Sequence, residues 1–597
     1  MLDNLNLDAS QNPSVAAITQ FVYDSATSTA NVTTEYHWDN QLSGASVPPT
    51  VPSTAATLTT SSAAVTTRQY NSNGVVSSVT DPDNHTTTYA YGSPAGCPTF
   101  TNLYPSSINA ASNTTENQQR TFDFDCATGL LTASTFTNNN GLKTTSNYDK
   151  YGRLVEQIQG ANQPDSTGVK KHKTVTQYDD SERTVRVVSD RATYNDQQVA
   201  TVYHFNQLGS LYMQRETDDT GGPVTAAGSG GIKTVTAELF ENVSTNVWNR
   251  YVISSNPFRA TTDSTMGWTM RTFDTEGRVQ NMKFYRGSTK PAPSTADTSG
   301  NFTGRINYSY SGDTNTVTDP AAATRTSTID SLGRLLSASD AGLSSASYSY
   351  DVLDNLKTVT QGTQTRTFTY TSLSRLKQAT NPESGTTSYE YYPGGSLKKR
   401  TDARSAVVNY AIDGLKRVTK KTYTGGSYPL PEATYCYDGQ AYDQASGNCI
   451  AASRSDYVRG ALTAYGSRKT APINPLDVVS SGNPLQTTVV ASTSMNLIDA
   501  LGNVGSSVHK VAGLATTQTV NYSYNVGGAL TQLQYPSGKF VQYDVTGTNR
   551  VSDIRRGAAS STDYYVKSLS YAPTGAMASA IMGQKPTGSP AMAPVGA

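Results

Sequence analysis

One seven-residue phrase recurs along this chain at a nearly fixed interval. Ile329-Asp330-Ser331-Leu332-Gly333-Arg334-Leu335 is followed by Tyr350-Asp351-Val352-Leu353-Asp354-Asn355-Leu356. Tyr370-Thr371-Ser372-Leu373-Ser374-Arg375-Leu376, Tyr391-Tyr392-Pro393-Gly394-Gly395-Ser396-Leu397 and Ile412-Asp413-Gly414-Leu415-Lys416-Arg417-Val418 continue it. The copies start at 329, 350, 370, 391 and 412, steps of 21, 20, 21 and 21. A fixed interval of this size marks a repeat architecture, in which each unit packs mainly on its neighbours.

The phrase reads as a hairpin tip. An aromatic or β-branched residue ends a strand, and Asp then bonds the backbone two residues on. Gly supplies the left-handed conformation that closes a type I turn with a G1 bulge. Arg, Asn or Lys restarts the strand and Leu or Val anchors it. Each interval therefore holds two short strands. Where Gly is missing, at Asp354, Ser374 and Lys416, a strained turn or another turn type is expected.

The phrase extends well beyond this run. Tyr148-Asp149-Lys150-Tyr151-Gly152-Arg153-Leu154, Phe273-Asp274-Thr275-Glu276-Gly277-Arg278-Val279 and Ile498-Asp499-Ala500-Leu501-Gly502-Asn503-Val504 are close copies. Tyr70-Asn71-Ser72-Asn73-Gly74 and Tyr543-Asp544-Val545-Thr546-Gly547 are looser ones, and Asp81-Pro82 and Asp319-Pro320 read as further turns. This divides the chain into a divergent β and linker region over 1–68, the repeat array over 69–580, and a disordered Pro-, Gly- and Ala-rich tail over 581–597.

Composition narrows the function classes. Lys+Arg and Asp+Glu both number 46. A net charge of zero argues against nucleic acid or an anionic membrane as main partner. Only 15% of residues are charged and 36% hydrophobic, while Tyr reaches 37, which favours strands over long helices. No apolar run is long enough for a membrane span, and Met1 to Gln20 does not read as a signal peptide.

Catalytic chemistry is not indicated. The five histidines form no close metal pair, and most aspartates fall at tips, where turn chemistry accounts for them. No catalytic, cofactor-binding or metal site is expected, and no cofactor. The Gly-rich stretch 221–231 lacks the order of a phosphate loop and reads as a flexible surface loop. Cys436 and Cys449, 13 residues apart, are either a local disulfide or two half-buried free thiols.

The phrases resemble the RHS, or YD, repeat of bacterial Rhs proteins and the related part of teneurins, over roughly Tyr70 to Tyr571. The residues carrying the resemblance are Tyr148, Asp149, Gly152, Arg153, Leu154, Phe273, Asp274, Gly277, Arg278, Asp330, Gly333, Arg334, Leu335, Tyr350, Asp351, Asp499 and Gly502. Asn256-Pro257-Phe258-Arg259 and Gly267-Trp268-Thr269 are similar to phrases between the repeats of bacterial members. The resemblance implies an all-β fold: an antiparallel sheet that spirals into a hollow shell, complete or partial. In many members the shell encloses a C-terminal toxin behind a self-cleaving core, and this sequence shows neither that core nor a toxin. The implied function is a non-catalytic shell segment that encloses or delivers a polypeptide. Its implied location is secreted or at the cell surface, by an export route not visible here. The alternative is a cell-surface module that binds glycans or proteins.

Overall fold

The computed structural model describes residues 5–7, 13–15, 17–24, 31–42, 58–92, 104–163, 171–219, 222–244, 247–425, 432–470, 487–511, 516–557 and 562–583. They hold strands and turns and no helix. Two small pairs stand apart, Leu5–Leu7 with Pro13–Val15 and Ala441–Tyr442 with Cys449–Ile450. The remaining strands, from Thr19–Tyr23 to Met577–Met582, belong to one antiparallel sheet. Strand follows strand in chain order, as in Ala346–Tyr350, Leu356–Gln361, Gln364–Tyr370 and Leu376–Asn381, which are paired in sequence. The expected tail over 581–597 lies almost wholly outside the described residues, as does most of the Pro-, Ser- and Thr-rich stretch 43–62 that reads as a loop or linker, of which 58–62 are described.

The chain forms two compact units, each built from separated segments. One comprises Met1–Lys143, Ser345–Asn496 and Ser507–Gln518, the other Thr144–Ser344, Leu497–Ser506 and Thr519–Ala597. Within each, hairpin tips of one segment touch tips of another more than 300 residues away, described below. Each unit is therefore a sheet that comes back alongside itself, the local signature of spiralling.

The strands have few large apolar side chains, and other groups hold neighbours together. Threonines face each other across the ladder with hydroxyls 2.9–3.3 Å apart at Thr314–Thr328, Thr316–Thr326, Thr360–Thr365 and Thr380–Thr386. Such cross-strand pairs are the unit of sheet stabilisation. Both Leu356 and Val359 are half-buried. This is a wall with two moderately polar faces, and it explains a Thr- and Tyr-rich chain with little aliphatic content.

The exception lies in the second unit. Tyr251, Ile253, Phe258, Met266, Trp268, Met270 and Tyr285 form a buried apolar cluster on strands Val247–Ser255, Gly267–Phe273 and Val279–Arg286 and on the connection between the first two, which carries Phe258 and Met266. The phrases at Asn256 and Gly267 supply Phe258 and Trp268. Gly267 has no room for a side chain, since a Cβ would stand 2.6 Å from the Tyr285 carbonyl. In the first unit a smaller cluster of Trp38, Leu58 and Ala63 ties the expected linker region into the sheet, with Val32–Trp38 paired to Ala63–Tyr70.

Candidate functional site

The repeated feature is the tip. At Asp330 the backbone N–H of Gly333 donates to the Asp330 carbonyl at 2.9 Å, and the Asp330 N–H donates to the Arg334 carbonyl at 2.8 Å. One carboxylate oxygen accepts the N–H groups of Leu332 and Arg334, both at 2.9 Å, and the other accepts Arg334 Nε at 2.6 Å. Ile329 pairs with Leu335 after a register shift, and Gly333 has φ 80°. These are the features of a turn with a G1 bulge. The Arg334 N–H and guanidinium hold the Asp330 carboxyl below the usual carboxylate range.

The same set recurs at Asp149 with Gly152 and Arg153, and at Asp274 with Gly277 and Arg278. Tyr148 pairs with Leu154 and Phe273 with Val279 across the bulge. At Asp351 and Asp499, Asn355 and Asn503 take the place of Arg, each amide donating to the carboxylate at 3.0 and 3.1 Å. Tyr350 pairs with Leu356, and Gly502 has φ 86°. Asp354, Ser374 and Lys416 keep the same turn without Gly, holding φ at 63°, 56° and 62°. The missing glycines thus change the strain and not the turn type. The Asp-Pro turns at Asp81 and Asp319 have the same geometry, with Asn84 and Ala322 at φ 64°.

The tip arginine also couples one hairpin to the next. Arg153 lies over the Tyr178 ring, Arg278 over Tyr310, Arg375 over Tyr391, Arg417 over Tyr437 and Arg550 over Tyr571, at 4.3–5.3 Å. In the last four, the tyrosine hydroxyl donates to the carbonyl of the residue after the arginine or beside it in the strand start: Val279, Leu376, Val418 and Val551. Tyr and Arg of the phrase are therefore partners across successive repeats, joined by cation–π stacking and a hydrogen bond.

Two tips carry threonine in place of aspartate and do something else. At Thr371 a hydroxyl replaces the carboxylate and accepts the N–H groups of Leu373 and Arg375, each at 3.2 Å. Arg375, without a carboxylate in its own tip, reaches Asp39, 336 residues away, at 2.5 Å. The Asp39 side chain is 2% exposed. Ser372 completes the contact by donating to the Trp38 carbonyl at 2.8 Å. In the second unit the tip is Val545 to Val551, two residues later than the sequence reading placed it, and Thr546 holds the aspartate position. Its hydroxyl donates to Asp219 at 3.0 Å, Thr548 also bonds Asp219, and Arg550 stands 3.4 Å from the same carboxylate. Arg259, from the Asn256 phrase, pairs with Asp218 at 2.7 Å and donates to the Tyr571 carbonyl at 3.0 Å. Further contacts of the same reach join Asp83 to Gly394, Arg459 to Asn139 and Arg191 to Thr546.

Cys436 and Cys449 are joined as a disulfide, with Cys436 buried against Tyr442 and Ala464. Asp81, Asp83 and His85 come close enough to share a cation. The Lys416 ammonium already stands 2.8 Å from Asp81, so the protein's own cation serves these carboxylates. No described helix is long and apolar enough to cross a membrane.

No sequence-family model matches the chain, and no curated protein does. Its fold is similar to solved chains of TcdB2-TccC3. The crystal structure of TcdB2-TccC3-TEV matches with a TM-score of 0.62 at 10% identity, over 95% of this chain and 33% of that one. The crystal structure of TcdB2-TccC3 matches at 0.51 and 10%, over 95% and 31%. A Photorhabdus luminescens Tc holotoxin pore matches at 0.52 and 10%, over 95% and 33%. The chain spans about a third of the length of these neighbours, and at this identity the likeness is one of fold.

Proposed function

We propose that this chain is a wall segment of an RHS/YD-repeat β-shell that encloses or delivers a polypeptide, and that it is itself non-catalytic. The observation that carries this reading is the tip array, on a wall with two half-polar faces, in a chain whose fold is similar to TcdB2-TccC3 over 95% of its length. A two-faced polar wall suits a sheet with water or an enclosed chain on one side and solvent on the other. A sandwich needs one oily face. The tip contacts spanning more than 300 residues lock successive passes of the sheet, which a container needs. Secretion or display at a cell surface follows from this role.

Electron cryomicroscopy of the purified full chain tests the reading. The expected reconstruction is a curved wall one sheet thick around an empty interior. A solid particle with two sheets packed face to face would overturn it.

A further inference from the structure

The Gly-rich stretch reads from sequence as a loose surface loop, but the structure anchors it over a buried charge. Val224 is packed with Val188, Ala200 and Val202. Gly231, at φ 87°, lies so close to the Glu216 carbonyl that a Cβ would stand 2.3 Å from it. Beneath this loop is Arg215, 2% exposed and the largest fully buried side chain among the described residues. Its Nε donates to His204 Nε2 at 3.1 Å, and its Nη2 donates to the carbonyls of Thr225 and Ala226 at 2.5 and 2.6 Å. Its Nη1 is buried without a hydrogen-bond partner. Among the described residues no carboxylate pairs with this guanidinium.

A buried charge without a counter-charge is costly, and proteins ordinarily pair it. His204 cannot serve. It accepts from Arg215, and burial together with Arg215 pushes its pKa down, so it stays neutral. A pocket of about 590 Å³ adjoins the arginine, lined by His204, Tyr212, Arg215, Gly228, Ser229 and Lys233. Lys233 meets no carboxylate either, and its Nζ stands 3.5 Å from the Arg259 carbonyl. Asp179 and Glu182 also line the pocket. One oxygen of the Asp179 carboxylate accepts the Ser181 N–H and hydroxyl and the Glu182 N–H, all within its own turn. Tyr212 is 40% exposed and offers an aromatic face.

We propose that this pocket binds a small ligand through an oxyanion, a carboxylate or a phosphate, received by Arg215 Nη1 and the Lys233 ammonium. The two cations, neither paired with a carboxylate among the described residues, supply the charge, and the guanidinium supplies directed N–H donors. The turn from Thr225 to Gly228 covers Nη1, so binding includes an outward shift of that turn. Within itself the turn is closed by the Gly228 N–H to Thr225 at 3.1 and 3.3 Å, and it is tied to the arginine by the Nη2 bonds to Thr225 and Ala226, which the ligand oxyanion replaces as the turn moves out. The proposal does not rest on the shell reading, because the unpaired arginine is present whatever the chain encloses.

The test is isothermal titration of the full chain with inorganic phosphate and with D-glucuronate, at constant ionic strength, with D-glucose as the neutral control. Saturable binding of either anion at one site per chain, and none of glucose, is the expected result. Binding of phosphate alone assigns a phosphoryl ligand, and of glucuronate alone a carboxylate such as an acidic sugar. Arg215→Met should weaken it about tenfold or more, the loss of a charge-assisted hydrogen bond. If that variant fails to fold by circular dichroism, Lys233→Met, on the pocket rim, decides with the same expected direction. Absence of saturable binding by both anions overturns the proposal. So does wild-type affinity in Arg215→Met or, where that variant does not fold, in Lys233→Met.

Discussion

The tips at Asp330 and Thr371 share one turn and differ in one side chain. In the first, aspartate bonds its own backbone and its own arginine, so the tip is complete in itself. In the second, threonine still bonds the backbone but leaves Arg375 without a carboxylate, and the arginine turns to Asp39. Thr546 and Arg550 repeat this with Asp219 in the other unit. A degenerate copy of the phrase is therefore a contact point. What looks like decay of a repeat is the change that lets one pass of the sheet grip another.

Arg375→Ala should have the largest effect, about 3–5 kcal/mol, because it strands the buried Asp39 carboxylate. Arg334→Ala in the self-contained tip should cost far less. Equilibrium denaturation of both variants checks the ranking, and equal losses would break the contrast. Trp268→Ala, in the apolar cluster of the second unit, should cost about 3–4 kcal/mol by leaving a cavity. A loss under about 1 kcal/mol in denaturant would show that the cluster contributes no more than the polar wall does.

The glycine position gives a smaller and reciprocal pair. Gly333→Ala should destabilise by about 1 kcal/mol from φ alone, since no atom lies within 4 Å of the added Cβ. Ser374→Gly should stabilise by about the same amount by relieving φ 56°. Melting temperatures moving in opposite directions confirm that both tips are one turn type.

Acid should act in two stages, each modest per group. His204 has a lowered pKa when folded, so the unfolded chain binds more protons below about 6.5. Stability is then complete above that value and declines as the pH falls from it. Asp330 is also lowered, so its share persists above about 3.8 and is lost as the pH falls through and below that value. A denaturation midpoint measured from pH 8 to pH 3 should show both declines, and His204→Gln should remove the first.

The tip was legible in the sequence because Asp, Gly and a following apolar residue each answer a backbone need within seven residues. The turn survives at Asp354, Ser374 and Lys416 because bulge geometry outweighs a left-handed φ costing about 1–2 kcal/mol. The role of the tip arginine was not legible. Its partner tyrosine lies one hairpin on, as Tyr178 does for Arg153 and Tyr391 for Arg375, and that distance varies with loop length. Asp39 and Arg375 are 336 residues apart, and nothing local marks either. The Gly-rich stretch misled for a related reason: its anchor, Val224, is one apolar residue among small polar ones.

A double-mutant cycle on Asp39→Ala and Arg375→Ala, beside one on Asp330→Ala and Arg334→Ala, tests most directly whether threonine tips bind pass to pass. The expected coupling is at least about 1.5 kcal/mol for the first pair and markedly smaller for the second. Independent effects of Asp39 and Arg375, with coupling concentrated in the Asp330 tip, would contradict it.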